Sequence, residues 1–342
     1  MLASARHDLR ARLARGGAES ALEAASVPLL IVALGVYLSL TTDVFLTQRN
    51  IENVLVQSAV LAIVAFGLTF VILAGELDLS VGSVVSLSGV VGAWAIVHAH
   101  SVVLGFAAAI AVGAVIGLVN GLLVTLARAP SFIVTLGMLV ICAGLANAIS
   151  NAGLIALPDG AGVLAGDWLG LSRLIWLTLA VFVVLFFVQS ETTFGTWVRA
   201  VGSNREAARV TGLPVDRVRV GAFMISGTCA GLGGIAVTSR VLAGQPDAGS
   251  LLELTAVAAV VVGGTSLFGG SGSIGRTLGG VLLLGVLANG LDLLSVGPDL
   301  QNVIVGAVLI AAASTELVRR RMVRRRPVMA AVHPSTGEGE SA

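Results

Sequence analysis

The sequence contains no lysine, and all twenty of its basic residues are arginine. A phosphate-binding P-loop requires a lysine, and Schiff-base catalysis requires a lysine amine, so neither kind of site is expected. Charged residues make up only 11% of the chain, whereas an average soluble domain has about 25%. The mean hydropathy is +0.99, and 56% of the residues are hydrophobic. The chain is therefore predicted to lie in a lipid bilayer.

Cysteine and histidine are also scarce. The two cysteines, Cys142 and Cys229, both lie inside apolar runs, so we interpret them as core residues and not as a disulfide or a metal site. His98 and His100 are predicted to lie in a solvated turn, since two imidazoles alone do not make a metal site. The sequence therefore predicts no metal and no cofactor.

Glycine, in contrast, is abundant at 43 of 342 residues. Gly113, Gly117 and Gly121 recur at every fourth position, as do Gly227 and Gly231. Small residues at this spacing form narrow seams where two helices approach closely. The seams suit packing within the chain or between two copies, and we favour packing within the chain.

Apolar runs predict an all-α, polytopic transmembrane helical bundle of about ten spans. The predicted spans are 25–41, 54–74, 80–98, 101–127, 131–151, 173–190, 219–241, 252–266, 275–295 and 300–317. With an even number of spans, most arginines fall on one side, and only Arg49, Arg173 and Arg240 fall on the other. By the positive-inside rule, both termini are predicted to be cytoplasmic.

Three regions follow from this topology: an N-terminal cytoplasmic tail (1–24), a transmembrane domain (25–317) and a basic cytoplasmic tail (318–342). No small-residue cleavage site follows the first apolar run, so we interpret it as a retained helix. The last tail begins with the arginine-rich segment RRRMVRRR and is predicted to be disordered beyond it. We interpret this segment as a membrane-edge anchor that binds no nucleic acid.

Glycine and polar residues interrupt two apolar regions, with AGELDLSVGS at 74–83 and GGTSLFGGSGSIG at 263–275. Non-helical backbone at membrane depth lines a polar cavity or is covered by protein, so such breaks indicate a transport pathway. The candidate pathway residues are Glu76, Asp78, Ser80, Gly82, Thr265, Ser266 and Phe268.

The two carboxylates of the first break have three interpretations. Glu76 and Asp78 could accept hydrogen bonds from solute hydroxyls, or the pair could form a proton site. Alternatively, Asp78 could only cap the next helix through the amides of Ser80 and Val81. We favour capping.

The second break contains GSGSIG, which formally matches a dinucleotide-binding fingerprint. No strand precedes it and no βαβ unit surrounds it, so we interpret the match as accidental. Thr265 and Ser266 could contact solute or stabilise the broken helix. Phe268 could stack on a sugar ring, but an aromatic residue near a membrane edge usually anchors the chain, and we favour anchoring.

The longest polar interruption spans 190–220. Within it, Asn204 is a candidate N-cap of a short helix that has Glu206 in its first turn and ends at Gly212 and Pro214. Such a helix lying along the cytoplasmic face would suit docking to a partner. The alternative is an ordinary solvated loop.

Four ordered segments carry a family resemblance: GLTFVILAGELDLSVGS (67–83), NGLLVTLARAPSFIVTLGM (120–138), TFGTWVRAVGSNREAARVTGL (193–213) and AVVVGGTSLFGGSGSIG (259–275). Together they resemble the permeases of ribose- and xylose-type ATP-binding-cassette importers, over about residues 50–315. The related branched-chain amino-acid permeases carry these segments less closely. The resemblance implies a non-enzymatic permease in the bacterial cytoplasmic membrane that moves a small neutral solute, most simply a monosaccharide such as a pentose, by alternating access.

The resemblance also implies partners and a coupling site. Separate cytoplasmic ATPase subunits would dock on the loop 191–218, a periplasmic or lipid-anchored protein would deliver solute, and a second permease copy would complete the path. The implied coupling residues are Asn204, Glu206, Ala207, Ala208 and Gly212. The chain departs from the family pattern at Glu76, where a second glycine is common, and at Thr196 and Trp197 after Phe194-Gly195.

Two alternative functions stay open at this point. One is a permease for branched-chain amino acids. The other is an ion-coupled carrier acting alone, for which Glu76, Asp78 and Asp292 would be the coupling carboxylates. A self-sufficient carrier would need no helix for docking an ATPase, so the segment from Asn204 to Gly212 separates the two classes.

Overall fold

A computed structural model describes residues 25–324 of the chain. The α-helices of this part are α1 (Ala25–Thr41), α2 (Gln48–Leu73), α3 (Val81–Ala99), α4 (Val102–Leu126), α5 (Ser131–Ser150), α6 (Arg173–Glu191), α7 (Thr193–Ser203), α8 (Arg205–Val210), α9 (Val215–Val241), α10 (Leu252–Val262), α11 (Ile274–Leu293) and α12 (Pro298–Arg324). The predicted tail 1–24 and residues 325–342 lie outside the described residues.

Seven of the described helices are long and apolar enough to cross a membrane: α2, α3, α4, α5, α6, α9 and α11. Helices α1 and α10 and the first part of α12 are shorter apolar helices. Each coincides with a predicted span, and the all-α bundle is confirmed. The number of spans and the side of the termini stay predictions.

The bounds of three helices differ from the predicted spans. Helix α2 begins earlier because Thr47 caps it, accepting a hydrogen bond from the Asn50 amide at 3.3 Å. Helix α9 also begins earlier, directly after Pro214, a residue that suits a helix start. Helix α12 continues to Arg324, since no glycine or proline interrupts it after Gly306.

Helix α9 is the centre of the bundle and packs against α2, α3 and α4. The second half of α2 is almost completely buried there, with Phe66 and Phe70 among the largest enclosed side chains. In contrast, α4, α5 and α6 leave most of their apolar surface exposed. The polypeptide thus has a buried centre, and its exposed apolar surface lies on α4 and α5, which contact each other, and on α6, which packs against α2.

A glycine seam joins α4 to α9. A Cβ added at Gly113 would overlap the carbonyl oxygen of Gly227 and lie 2.8 Å from the amide nitrogen of Gly231. A Cβ at Gly117 would overlap the carbonyl oxygen of Phe223. The prediction that these glycines pack within the chain is confirmed, because only hydrogen side chains allow the two backbones this approach.

The segment after α9 turns back along α3 and does not form a loop at the bundle's end. Leu242 ends α9 with a φ of 57°, Gly244 then packs on the backbone of α3, and Gly249 packs on the carbonyl of Gly82. Helix α10 begins only there. Its 11 residues span about 16 Å, roughly half of a hydrocarbon core of about 30 Å. The short span predicted at 252–266 is therefore a half-helix.

Short extended segments cover the end of the bundle near the end of α9. Strand β1 (Ile155–Ala156) pairs antiparallel with β4 (Ala243–Gly244), and β2 (Asp167–Trp168) pairs with β3 (Leu171–Ser172). A 3-10 turn lies at Val163–Ala165. These two-residue pairs were not predicted, because strands of this length have no hydropathy period.

Candidate functional site

The two predicted breaks lie side by side at one end of α2. Helix α2 stops at Leu73, and Gly75 turns the chain with a φ of 75°. The Gly270 amide of the second break donates to the Leu73 carbonyl at 2.9 Å, and Gly202 of α7 packs on that same carbonyl. The two breaks and α7, the helix that precedes α8, therefore meet at the end of α2.

Glu76 binds two arginines, one on α8 and one on α9. Both Nε and a terminal nitrogen of Arg219, on α9, lie 2.7 Å from Glu76 Oε1. Arg205, the first residue of α8, donates to the same carboxylate oxygen. Only 6% of the Glu76 side chain and 9% of the Arg219 side chain are exposed. Glu76 thus ties the first break to α8 and to α9.

A second carboxylate extends this ion-pair network toward the surface. Asp216 Oδ1 lies 3.6 Å from a guanidinium nitrogen of Arg209 and 3.7 Å from one of Arg219. Asp216 and Arg209 are each more than half exposed, so water weakens their attraction. The buried Glu76–Arg219 pair is the structurally important part of the network.

Asp78 lies at the centre of a separate, fully buried network. Its Oδ1 accepts from the Ser80 amide at 3.0 Å and from the Ser80 hydroxyl, and its Oδ2 accepts from Ser226 at 3.0 Å. Asn120 on α4 donates to Ser80 at 3.0 Å. Of the two amides predicted for capping, only that of Ser80 is bonded, and Ser80 is itself the N-cap of α3, which has no side-chain capping bond. Asp78 therefore holds the residue before the helix and does not cap α3 itself. The contact with Ser226 additionally joins the break to α9.

The remaining pathway candidates lie in different surroundings. Thr265 and Ser266 are each only 2% exposed. The Thr265 amide donates to Val260 of α10, and the Ser266 amide donates to Ser271 within the second break. These backbone bonds join the break to α10. Gly82 lies against Gly249, whereas Phe268 is half exposed at the loop's tip. A role of any of them in solute passage stays a prediction.

Helix α8 forms where the sequence predicted it. The Asn204 side chain accepts from the Ala207 amide at 3.0 Å, Glu206 lies in the first turn, and Gly212 follows with a φ of 83°. Glu206 and Ala207 are exposed, while Ala208 is buried against the bundle. Helix α7, directly before it, was not predicted.

The carboxylates of the proposed ion-coupled carrier do not form one group. Asp292 binds Gln57 of α2 at 3.2 Å and Gln301 of α12 at 2.7 Å. Gln57 lies about 24 Å along α2 from the end at which Glu76 and Asp78 lie. Asp292 therefore lies apart from the other two carboxylates.

The family model described as the permease component of branched-chain amino acid transport systems matches residues 50–313. The chain belongs to this family. It is a multi-pass protein of the bacterial inner membrane and the permease component of an ABC transporter, in which a separate subunit hydrolyses ATP and a solute-binding protein is a further partner.

Individual relatives are similar over most of their length. The L-arabinose ABC transporter permease protein AraH of Azospirillum brasilense is 38% identical over 313 residues, covering 91% of this chain and 92% of that protein. The ribose import permease protein RbsC of Escherichia coli K12 is 36% identical, with 85% and 92% covered. RbsC of Bacillus subtilis is 40% identical, with 82% and 88% covered.

Proposed function

We propose that this permease imports a neutral monosaccharide, most simply a pentose, by alternating access. The observation that carries the proposal is the similarity to permeases named for ribose and for L-arabinose, each over more than four fifths of this chain. The buried interior agrees with a neutral solute, since the buried carboxylates Glu76 and Asp78 already have partners within the chain. A branched-chain amino acid is less favoured, because its ammonium and carboxylate groups would need unpaired charges to bind them.

We propose that α8 is the contact for the ATPase. Its exposed Glu206 and Ala207 suit a partner surface, and its buried Ala208 fixes it to the bundle. Movement of α8 would reach the first break through Arg205 and Glu76, and α9 through Glu76 and Arg219. Alternating access needs such a link between the energy-supplying partner and the helices that reorient.

A second copy of the chain is proposed to complete the pathway. The exposed apolar surfaces of α4, α5 and α6 would contact lipid or this second copy. On α5, Gly137 and Gly144 face open space, which leaves room for a neighbouring helix.

Reversing the charge of Glu206 tests the coupling proposal. Glu206→Arg is expected to lower capture of the ATPase by the detergent-solubilised chain by about tenfold. A reversed charge on the docked helix would no longer be complementary to the partner surface. The measurement is a pull-down from native membranes with quantitation of the ATPase subunit.

Asp43→Arg is the matched control, since Asp43 is an exposed carboxylate in the turn before α2, at the opposite end of that helix from α8. The control should capture as much ATPase as the wild type. If Glu206→Arg captured as much ATPase as the wild type, docking on α8 would be contradicted. If neither the wild type nor the variants captured an ATPase while still supporting uptake, the ion-coupled carrier would be favoured.

A further inference from the structure

A cavity of about 620 Å³ opens beside the Glu76 network. It lies where the C-terminal end of α4 and the N-terminal ends of α5 and α9 meet α8, and its wall includes the turn from Arg128 to Ser131. Because these are ends of membrane-spanning helices, the cavity lies where lipid headgroups and dissolved ions are within reach.

The charge of the cavity is strongly unbalanced. Four arginines line it, against two carboxylates, so the wall carries two positive charges in excess. The lining charged residues are Arg128, Arg205, Arg209, Arg219, Glu76 and Asp216. Arg128, Arg205 and Arg209 are exposed to water, so the excess positive charge of the cavity attracts anions from solution or from lipid headgroups.

The arginines are held in place without being neutralised. Glu76 binds two of them with one carboxylate, and Asp216 is shared by Arg209 and Arg219 at 3.6 and 3.7 Å. No ion pair of Arg128 is found within residues 25–324. Its backbone is in the left-handed region, with a φ of 53°, which fixes the turn that brings it to the cavity wall.

We infer that this cavity binds an anionic phosphate group, supplied by the headgroup of an acidic phospholipid or by free inorganic phosphate. Guanidinium forks match the oxygens of a phosphate, and basic pockets between membrane helices bind anionic headgroups. Arg219 is the buried anchor of the site, and Arg128 is the arginine whose charge the bound phosphate balances. The inference depends neither on the imported solute nor on the ATPase.

The test uses the full-length chain purified in detergent. Phosphatidylglycerol, with phosphatidylcholine as the zwitterionic comparison, is added and its retention is measured by native mass spectrometry. Inorganic phosphate is added separately, and its effect on the unfolding temperature is measured. Arg128→Gln is expected to lower phosphatidylglycerol retention by about tenfold, the effect of losing one charge-assisted contact.

Arg217→Gln is the matched control, because Arg217 is an exposed arginine of α9 that does not line the cavity. It should retain phosphatidylglycerol like the wild type. Should Arg128→Gln fold poorly by circular dichroism, Arg209→Gln removes a second lining charge and is expected to lower retention in the same direction.

The outcomes separate the two sources. Retention of phosphatidylglycerol over phosphatidylcholine that requires Arg128 identifies the headgroup; stabilisation by phosphate alone that requires Arg128 identifies the free ion. Equal retention of both lipids with no effect of phosphate would overturn the inference, as would equal losses in Arg128→Gln and Arg217→Gln. Loss of ATPase capture in Arg128→Gln with unchanged anion binding would also overturn it, since the cavity would then belong to the protein interface.

Discussion

Gly113→Leu is expected to destabilise the chain by about 3 kcal/mol or more and to remove most of the folded protein. At this position any side chain meets the backbone of α9, at Gly227 and Gly231, and backbone cannot move aside as a flexible side chain can. Since α9 also packs on α2 and α3, separating it from α4 disturbs the centre of the bundle. The measurement is the unfolding temperature and the monodisperse fraction in detergent.

Gly306→Leu makes the same change on α12, where an added Cβ would meet no atom within 4 Å. The control is expected to stay within about 0.5 kcal/mol of the wild type. Equal stability of the two variants would contradict the glycine seam between α4 and α9.

Glu76→Leu is the second large effect, with an expected destabilisation of about 3 kcal/mol. The guanidinium of Arg219 is nearly buried, and after the substitution its remaining partner among the described residues is the more distant carboxylate of Asp216. The substitution also releases α8 from the first break, because Arg205 loses its partner. ATPase activity stimulated by the solute-loaded binding protein should therefore fall further than stability alone accounts for.

The double variant Glu76→Leu/Arg219→Leu separates the loss of the pair from the exposure of an unpaired charge, since removing both partners leaves neither buried charge of this pair behind. It is expected to recover part of the lost stability in thermal unfolding. Glu191→Leu, at the exposed end of α6, is the control. A destabilisation by Glu76→Leu no larger than that of Glu191→Leu would show that the buried ion pair is unimportant.

Much of the fold could be predicted because few backbone structures can cross a bilayer. A run of about 20 apolar residues has few alternatives to a spanning helix, so α3 to α6 fall where hydropathy predicts them. The return of residues 243–251 along α3 could not be predicted in the same way. It depends on glycines meeting across distant positions, as Gly249 meets Gly82, and hydropathy contains no such pairing.

The candidate site shows the same division between local and distant contacts. The capped helix α8 was predictable because Asn204, Glu206 and Gly212 act within two turns of one another. The distant partners of Glu76 and Asp78 were missed, since Arg219 and Ser226 lie more than one hundred residues further along the chain. The one available signal was that a carboxylate at a membrane break requires a partner, and Arg219 is one of the few charged residues near a helix start.

Uptake of a labelled pentose into proteoliposomes distinguishes an ATP-driven permease from an ion-coupled carrier. The chain would be reconstituted with its ATPase and its solute-binding protein, with ATP supplied on the ATPase side and no ion gradient. We expect uptake that requires ATP and all three components. Uptake by the chain alone, driven by an imposed proton or sodium gradient and indifferent to ATP, would contradict import powered by ATP.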